Sequence, residues 1–233
     1  MTPTGYPSDV TIRHVARLIA WGVACAVAIG LGSTFGGSGF AFGAGAAAIA
    51  TAWLILWLPR SAHRAFETAR YATAFRRYRL IGSLAFTARR TRASQLSRAA
   101  CDLAAGRHAD ADAALAAVEP DELDDAERVV WLNNRACVAL DASRDPHEAL
   151  ALVEQATASR PDVPAVQHTR ARALIAVGRF DDAIAVLEAM RSGGELSLRL
   201  EVERCRELAV AWERKGQGAY ADDYRDRARL HAT

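Results

Sequence analysis

Between Leu18 and Pro59 the chain carries no Asp, Glu, Lys, Arg or His, an uninterrupted run of 42 residues. A hydrocarbon core about 30 Å thick is crossed by about 20 helical residues rising ~1.5 Å each, so this run has the length of two spans. Near its middle Gly32, Gly36, Gly37 and Gly39, with Ser33, Thr34 and Ser38, form a turn-prone patch. Lipid satisfies no free backbone group, which predicts two antiparallel helices packed together, roughly 13–34 and 40–58. Gly36, Gly37 and Gly39 are expected in the turn. Gly32 and Gly36, and Gly39 and Gly43, lie four apart beside Ala-rich stretches, giving small faces on which helices approach closely. A secretory signal cleaved near Ala41 or Ala44 is the competing reading. Against it, the apolar run exceeds a signal core and continues through Ala52–Leu58.

Charge is divided sharply along the chain. The overall +2 conceals +1 for residues 1–58, +9 for residues 59–100 and −8 for residues 101–233. Arg13 and Arg17 precede the first apolar segment and Arg60, Arg64, Arg70, Arg76, Arg77 and Arg79 follow the second, while the turn is uncharged. Positive residues stay inside, so both termini are expected in the cytoplasm. Trp21, Trp53 and Trp57 stand where interfacial aromatics are found. Abundant Ala and a single lysine, Lys215, fit a GC-rich bacterial coding sequence, and the expected location is the bacterial cytoplasmic membrane.

Residues 60–98 form an arginine-rich collar in which Glu67 is the sole acid. The lack of proline and the single glycine predict one long helix, with Gly82 as a point of kinking, and Phe66, Tyr71, Phe75 and Tyr78 are placed to dip into a membrane interface. Beside a span, Arg60, Arg64, Arg76, Arg77 and Arg79 are expected to contact anionic headgroups, each worth ~1 kcal/mol. The same composition suits nucleic-acid phosphates, but the position beside a span favours lipid, and nucleic acid is not the expected partner. Packing of Leu80, Ile81, Leu84 and Phe86 as the first helix of the domain that follows is compatible with the lipid role.

A periodicity follows the collar. Ala149 and Ala183, Val153 and Leu187, and Ala156 and Met190 are separated by 34 residues, with a helix-forming stretch ending at Gly178 between them. The unit is helix, turn, helix and a Pro-containing turn at 160–164. In this it resembles the tetratricopeptide repeat family. The family's small residue, turn Gly, aromatic, Ala and two apolar positions fall on Ala171, Gly178, Phe180, Ala183, Leu187 and Met190. The preceding copy matches at Ala136, Ala149, Val153, Ala156 and Pro161 but has Ser143, Arg144, Asp145 and Pro146 at its turn. Fainter copies surround Gly106 and Gly216, the latter as an atypical cap.

An all-α chain is expected: the apolar run predicts an N-terminal two-helix transmembrane hairpin, and the resemblance implies that a right-handed solenoid of helical hairpins follows it. The organisation expected is a polar tail (1–11), the membrane hairpin (12–58), the basic collar (59–93) and the repeat domain (94–233), with best copies 130–163 and 164–192. It further implies a protein or peptide partner held in a groove of first helices, where Asn133, Asn134, His168 and Arg172 are the candidate contacts. A structural subunit joined to a membrane complex through its hairpin is the alternative.

Catalytic patterns are missing from the sequence. Its six histidines are dispersed, and neither HExxH, GxSxG nor GxxxxGK[ST] occurs. Asp124-Asp125, Asp181-Asp182 and Asp222-Asp223 fall at helix starts or on polar faces, where capping explains them. Cys25, Cys101, Cys137 and Cys205 are widely spaced, which suits core positions better than a metal or disulfide framework. No enzyme activity, cofactor, metal or small-molecule substrate is expected.

Overall fold

The computed structural model describes residues 9–34, 37–141, 145–192 and 196–232, with side chains from residue 19 onward except at 37–40, 192 and 232. Most of the polar tail, Gly36 of the turn, and Ser143 and Arg144 therefore lie outside the described residues. The described residues are helical, with no strand among them. They divide into two compact units, residues up to Phe66 with Ala72–Arg98, and Glu67–Tyr71 with Ala99 onward.

In the first unit α1 (Asp9–Ser33) packs on α2 (Gly37–Ala52). Gly37 and Gly39 lie inside α2 rather than in the turn expected of them. Gly43 is where the helices meet. A Cβ there would stand 2.4 Å from the Ala28 carbonyl oxygen, so only glycine permits this approach. Apolar side chains face outward. Ile19, Val23, Val27 and Leu31, at four-residue steps along α1, are all more than half exposed, and Phe42 and Ile49 are more exposed still.

The second helix does not stop before Pro59 as the sequence suggested. It passes through a π-helical turn, Trp53–Trp57, into α3 (Leu58–Glu67). Pro59 explains both facts. Its nitrogen has no hydrogen to give the Ile55 carbonyl and its ring crowds that oxygen, so the helix widens just upstream instead of ending. The Leu58 N–H then bonds Trp53 O, and the Arg60 guanidinium donates to Leu56 O at 2.9 Å. Trp53 and Trp57 stack with ring centroids 5.6 Å apart. Among the described residues one helix, Ala41–Glu67, is long and apolar enough to cross a membrane, with mean hydropathy 1.8; Ile19–Ser33 is apolar but shorter.

The collar is not one helix. It is split between the end of α3, α4 (Tyr71–Ser83) and α5 (Ala88–Ala104). The break after Glu67 contains Ala69 at φ 55°, a left-handed conformation that ends a helix. Within the first unit Ser94 Oγ donates to Tyr78 O, and Gly82 leaves room for that contact, since a Cβ there would meet Ser94 Oγ at 2.5 Å. Leu80, Ile81, Leu84 and Phe86 close α4 and the loop after it, in this unit and not in the repeats.

The second unit is a stack of helix pairs. Its elements are the end of α5, α6 (His108–Ala116), a 3-10 turn (Pro120–Glu122), α7 (Asp125–Asp141), α8 (Pro146–Ser159), α9 (Pro164–Ala176), α10 (Phe180–Ser192), α11 (Leu198–Arg214) and α12 (Gly218–Ala232). Each of three pairs turns on a glycine in the left-handed region, Gly106 (φ 74°), Gly178 (φ 83°) and Gly216 (φ 76°). Their hydrogen bonds repeat: Arg107 N to Asp102 O, Arg179 N to Leu174 O and Gln217 N to Trp212 O close the same six-residue loop. Ala136 and Ala171 in first helices, and Ala111, Ala149, Ala183 and Ala221 in second helices, are fully buried. One core joins α7, α8 and α9, another joins α9, α10 and α11, and Leu150 packs against both.

Helix starts follow the sequence closely. Asp124 and Glu127 form a reciprocal capping box, Glu127 N to Asp124 Oδ1 at 2.8 Å and Asp124 N to Glu127 Oε2 at 3.1 Å. Asp145 accepts from His147 N ahead of Pro146, and Ser197 accepts from Leu200 N. Asp182 pairs with Arg179, Asp222 with Arg225 and Asp223 with Arg227. Those acidic pairs are caps and surface ion pairs.

Candidate partner-binding face of the first helices

First helices touch one another in sequence, α7 with α9 and α9 with α11, while α8 and α10 stand between successive pairs. Residues spaced by four on these helices share a face. On α9 these are His168 and Arg172; on α11 they are Arg199, Glu203 and Glu207; on α7, Asn133, Asn134, Cys137 and Asp141 lie within one stripe.

Cross-helix ion pairs join the stripes. Arg172 donates to Asp141 and lies 3.6 Å from Glu207 Oε1, so one guanidinium links α7, α9 and α11. His108 Nδ1 lies 3.7 Å from Asp141 Oδ2. Arg199 pairs with Glu203 at 2.7 Å and reaches Glu67 at 3.5 Å. Cys137 Sγ lies 3.5 Å from Thr169 Oγ1.

Burial governs the proton equilibria on this face. His168 is pushed down to about 3 by desolvation first, then by the Arg172 and Arg199 charges, so its ring is neutral near pH 7. Burial raises Glu207 against the opposing pull of Arg172. It likewise raises the Cys137 thiol, with Arg172 and Thr169 opposing. The face carries a buried neutral imidazole, two guanidiniums and a run of carboxylates. They include no nucleophile activated by a neighbouring base. Among the described residues no group of three His, Cys, Asp or Glu side chains is placed to hold a metal ion.

The expected contacts differ in availability. Arg172 is engaged by two carboxylates instead of standing free. Asn134 is buried, whereas Asn133 is half-buried with its Oδ1 lacking a hydrogen-bond partner among the described residues. His168 Nε2 also lacks one. No sequence motif singles out Asp141, Glu203, Glu207 or Arg199. The four-residue spacing of the last three is visible in the sequence, but α11 reads there as a degenerate cap.

The five collar arginines also separate. Arg60, Arg64, Arg76 and Arg79 are exposed. Arg77 is half-buried and turned inward: its Nη1 donates to Ser61 O at 2.7 Å and its guanidinium lies 5.7 Å from the Trp57 ring centroid.

A tetratricopeptide repeat family model matches residues 142–192, a stretch that runs through α8, α9 and α10. Comparison with curated proteins and with solved structures finds no match. The match is confined to residues 142–192, and a left-handed glycine turn followed by a fully buried alanine recurs in the helix pairs on either side of them.

Proposed function

We propose that this protein is a membrane-tethered adaptor of the bacterial cytoplasmic membrane. Its α1–α2 hairpin is the anchor, both termini are cytoplasmic, and the first-helix face holds a protein or peptide partner without catalysis. Tetratricopeptide repeats are interaction scaffolds, which supports the second half of this reading. The observation that carries the first half is the inverted packing of the hairpin. Small residues meet inside, at Gly43 against Ala28, while Ile19, Val23, Val27, Leu31, Phe42 and Ile49 face out. Water penalises such a surface and lipid does not. Exposed Arg60, Arg64, Arg76 and Arg79 are suited to anionic headgroups.

A second reading, a structural subunit held in a membrane complex by its hairpin, draws on another observation. Gly22, Ala26 and Gly30 lie at four-residue steps on α1, all exposed, and a Cβ at either glycine would meet nothing within 4 Å. A neighbouring span would fit against such a face.

Photo-crosslinking of the full-length chain in cells separates the two. A crosslinker replacing Asn133 is expected to capture a discrete protein, and one replacing Ala26 is not. The reverse pattern replaces the adaptor with the structural subunit. Release of the protein from membranes by alkaline carbonate would sink both.

A further inference from the structure

Glu67–Tyr71 folds with the repeat unit, although the helices it joins belong to the other unit. Glu67 Oε1 lies 3.5 Å from Arg199 Nη2, on the first-helix face of α11. Tyr71 is half-buried, and the charges of Arg199, Glu203 and Glu67 act on its hydroxyl. Both ends of this five-residue segment therefore bear on Arg199, on the face read above as the partner site. They bring the one acidic side chain of the arginine-rich collar to one of its two arginines.

The fit is imperfect in three independent ways. Arg199 holds Glu203 at 2.7 Å but Glu67 only at 3.5 Å. The second carboxylate oxygen, Glu67 Oε2, is buried with no hydrogen-bond partner among the described residues. Ala69, between the two anchoring side chains, is in the left-handed region at φ 55°, which disfavours residues with a Cβ. A segment held this way stays in place because it is tethered, its effective concentration standing in for affinity. A free peptide making the same contacts without the strain would compete with it.

From this geometry we infer that Glu67–Tyr71 is a built-in ligand of the first-helix face, displaced by partner peptides that present a carboxylate and, four residues later, an aromatic ring. The inference rests on the reading of that face as the partner site and names both its regulation and its ligand class. Displacement frees the segment that follows directly on the Ala41–Glu67 helix.

The test uses the full chain in detergent micelles and a fluorescein-labelled peptide with the sequence of residues 63–75, with a scrambled peptide as control. Wild type is expected to bind weakly, because only the fraction with a vacant face is competent. The Glu67→Gln/Tyr71→Ala variant is expected to bind at least about tenfold more tightly. Adding Arg199→Ala should abolish that gain. Equal binding by wild type and variant, or a gain that survives Arg199→Ala, overturns the inference. If circular dichroism shows that the variant has not folded, hydrogen exchange on wild type decides. Amides 67–71 should be protected and should exchange faster at saturating peptide, and unchanged protection overturns the inference. Peptide binding is independent of the cellular crosslinks from Asn133. A lack of those crosslinks alongside a tenfold gain would reject the adaptor reading and leave the internal ligand standing.

Discussion

At the scale of single residues the first-helix face is a place where burial decides protonation. His168 is desolvated and flanked by Arg172 and Arg199, which holds it neutral down to about pH 3. An unfolded chain would protonate it near its ordinary value of about 6.5. Between those values the unfolded state binds more protons, so stability falls as pH drops from about 6.5 toward 3, with a slope of about 1.4 kcal/mol per pH unit from this residue. Glu207, raised by burial, contributes with the opposite sign above its own ordinary value. A comparison of variants isolates the histidine. His168→Gln should flatten the fall in melting temperature between pH 7 and pH 5, measured by circular dichroism on the full chain in detergent. An unchanged pH profile would show that the ring is not buried among those arginines. Arg172, a candidate partner contact by sequence, is already committed to Asp141 and Glu207. Helical periodicity showed which way it pointed but not what stood opposite.

At the scale of elements, two local rules shape most of the chain. Glycine in the left-handed region ends first helices at Gly106, Gly178 and Gly216, and a fully buried Ala five positions later lets the second helix pack closely, at Ala111, Ala183 and Ala221. That spacing was readable at the outer pairs too. It was obscured there because the surrounding apolar positions drift, as at Arg225, which occupies the place of Leu187. Proline 59 shows the opposite outcome. Read locally it ends a helix, yet the chain continues because widening into a π turn, with Arg60 donating to Leu56 O, costs less than stopping. Between α1 and α2 the decisive element contact is Gly43 against Ala28. Gly43→Val should push the helices apart and lower the thermal stability of the hairpin by about 1–3 kcal/mol, the usual range for overpacking. The loss should appear as faster alkylation of the free Cys25 thiol by a membrane-permeant maleimide. An unchanged labelling rate would argue against the close approach.

At the scale of the molecule, the chain divides into three charge regimes: a first region holding the long uncharged run, a basic stretch, and an acidic repeat unit. On the proposed function, replacing Arg76 and Arg79 with Gln should lower retention on vesicles containing phosphatidylserine, by about 1 kcal/mol per residue and less at high salt. Arg77→Gln should destabilise instead, since that side chain is used within the protein. Equal retention of the Arg76/Arg79 variant and wild type in sedimentation assays would remove the collar from the membrane contact. By itself the sequence determined the helical class, the apolar hairpin, the glycine turns and the 34-residue register of the best pair, because each is written in spacings of a few residues along one helix or between adjacent helices. Only the tertiary structure decided that Asp141 and Glu207 close on Arg172 and that Glu67 reaches Arg199 across 132 residues of chain. Such meetings depend on the rotation accumulated over several packed helix pairs, and no local spacing encodes that sum.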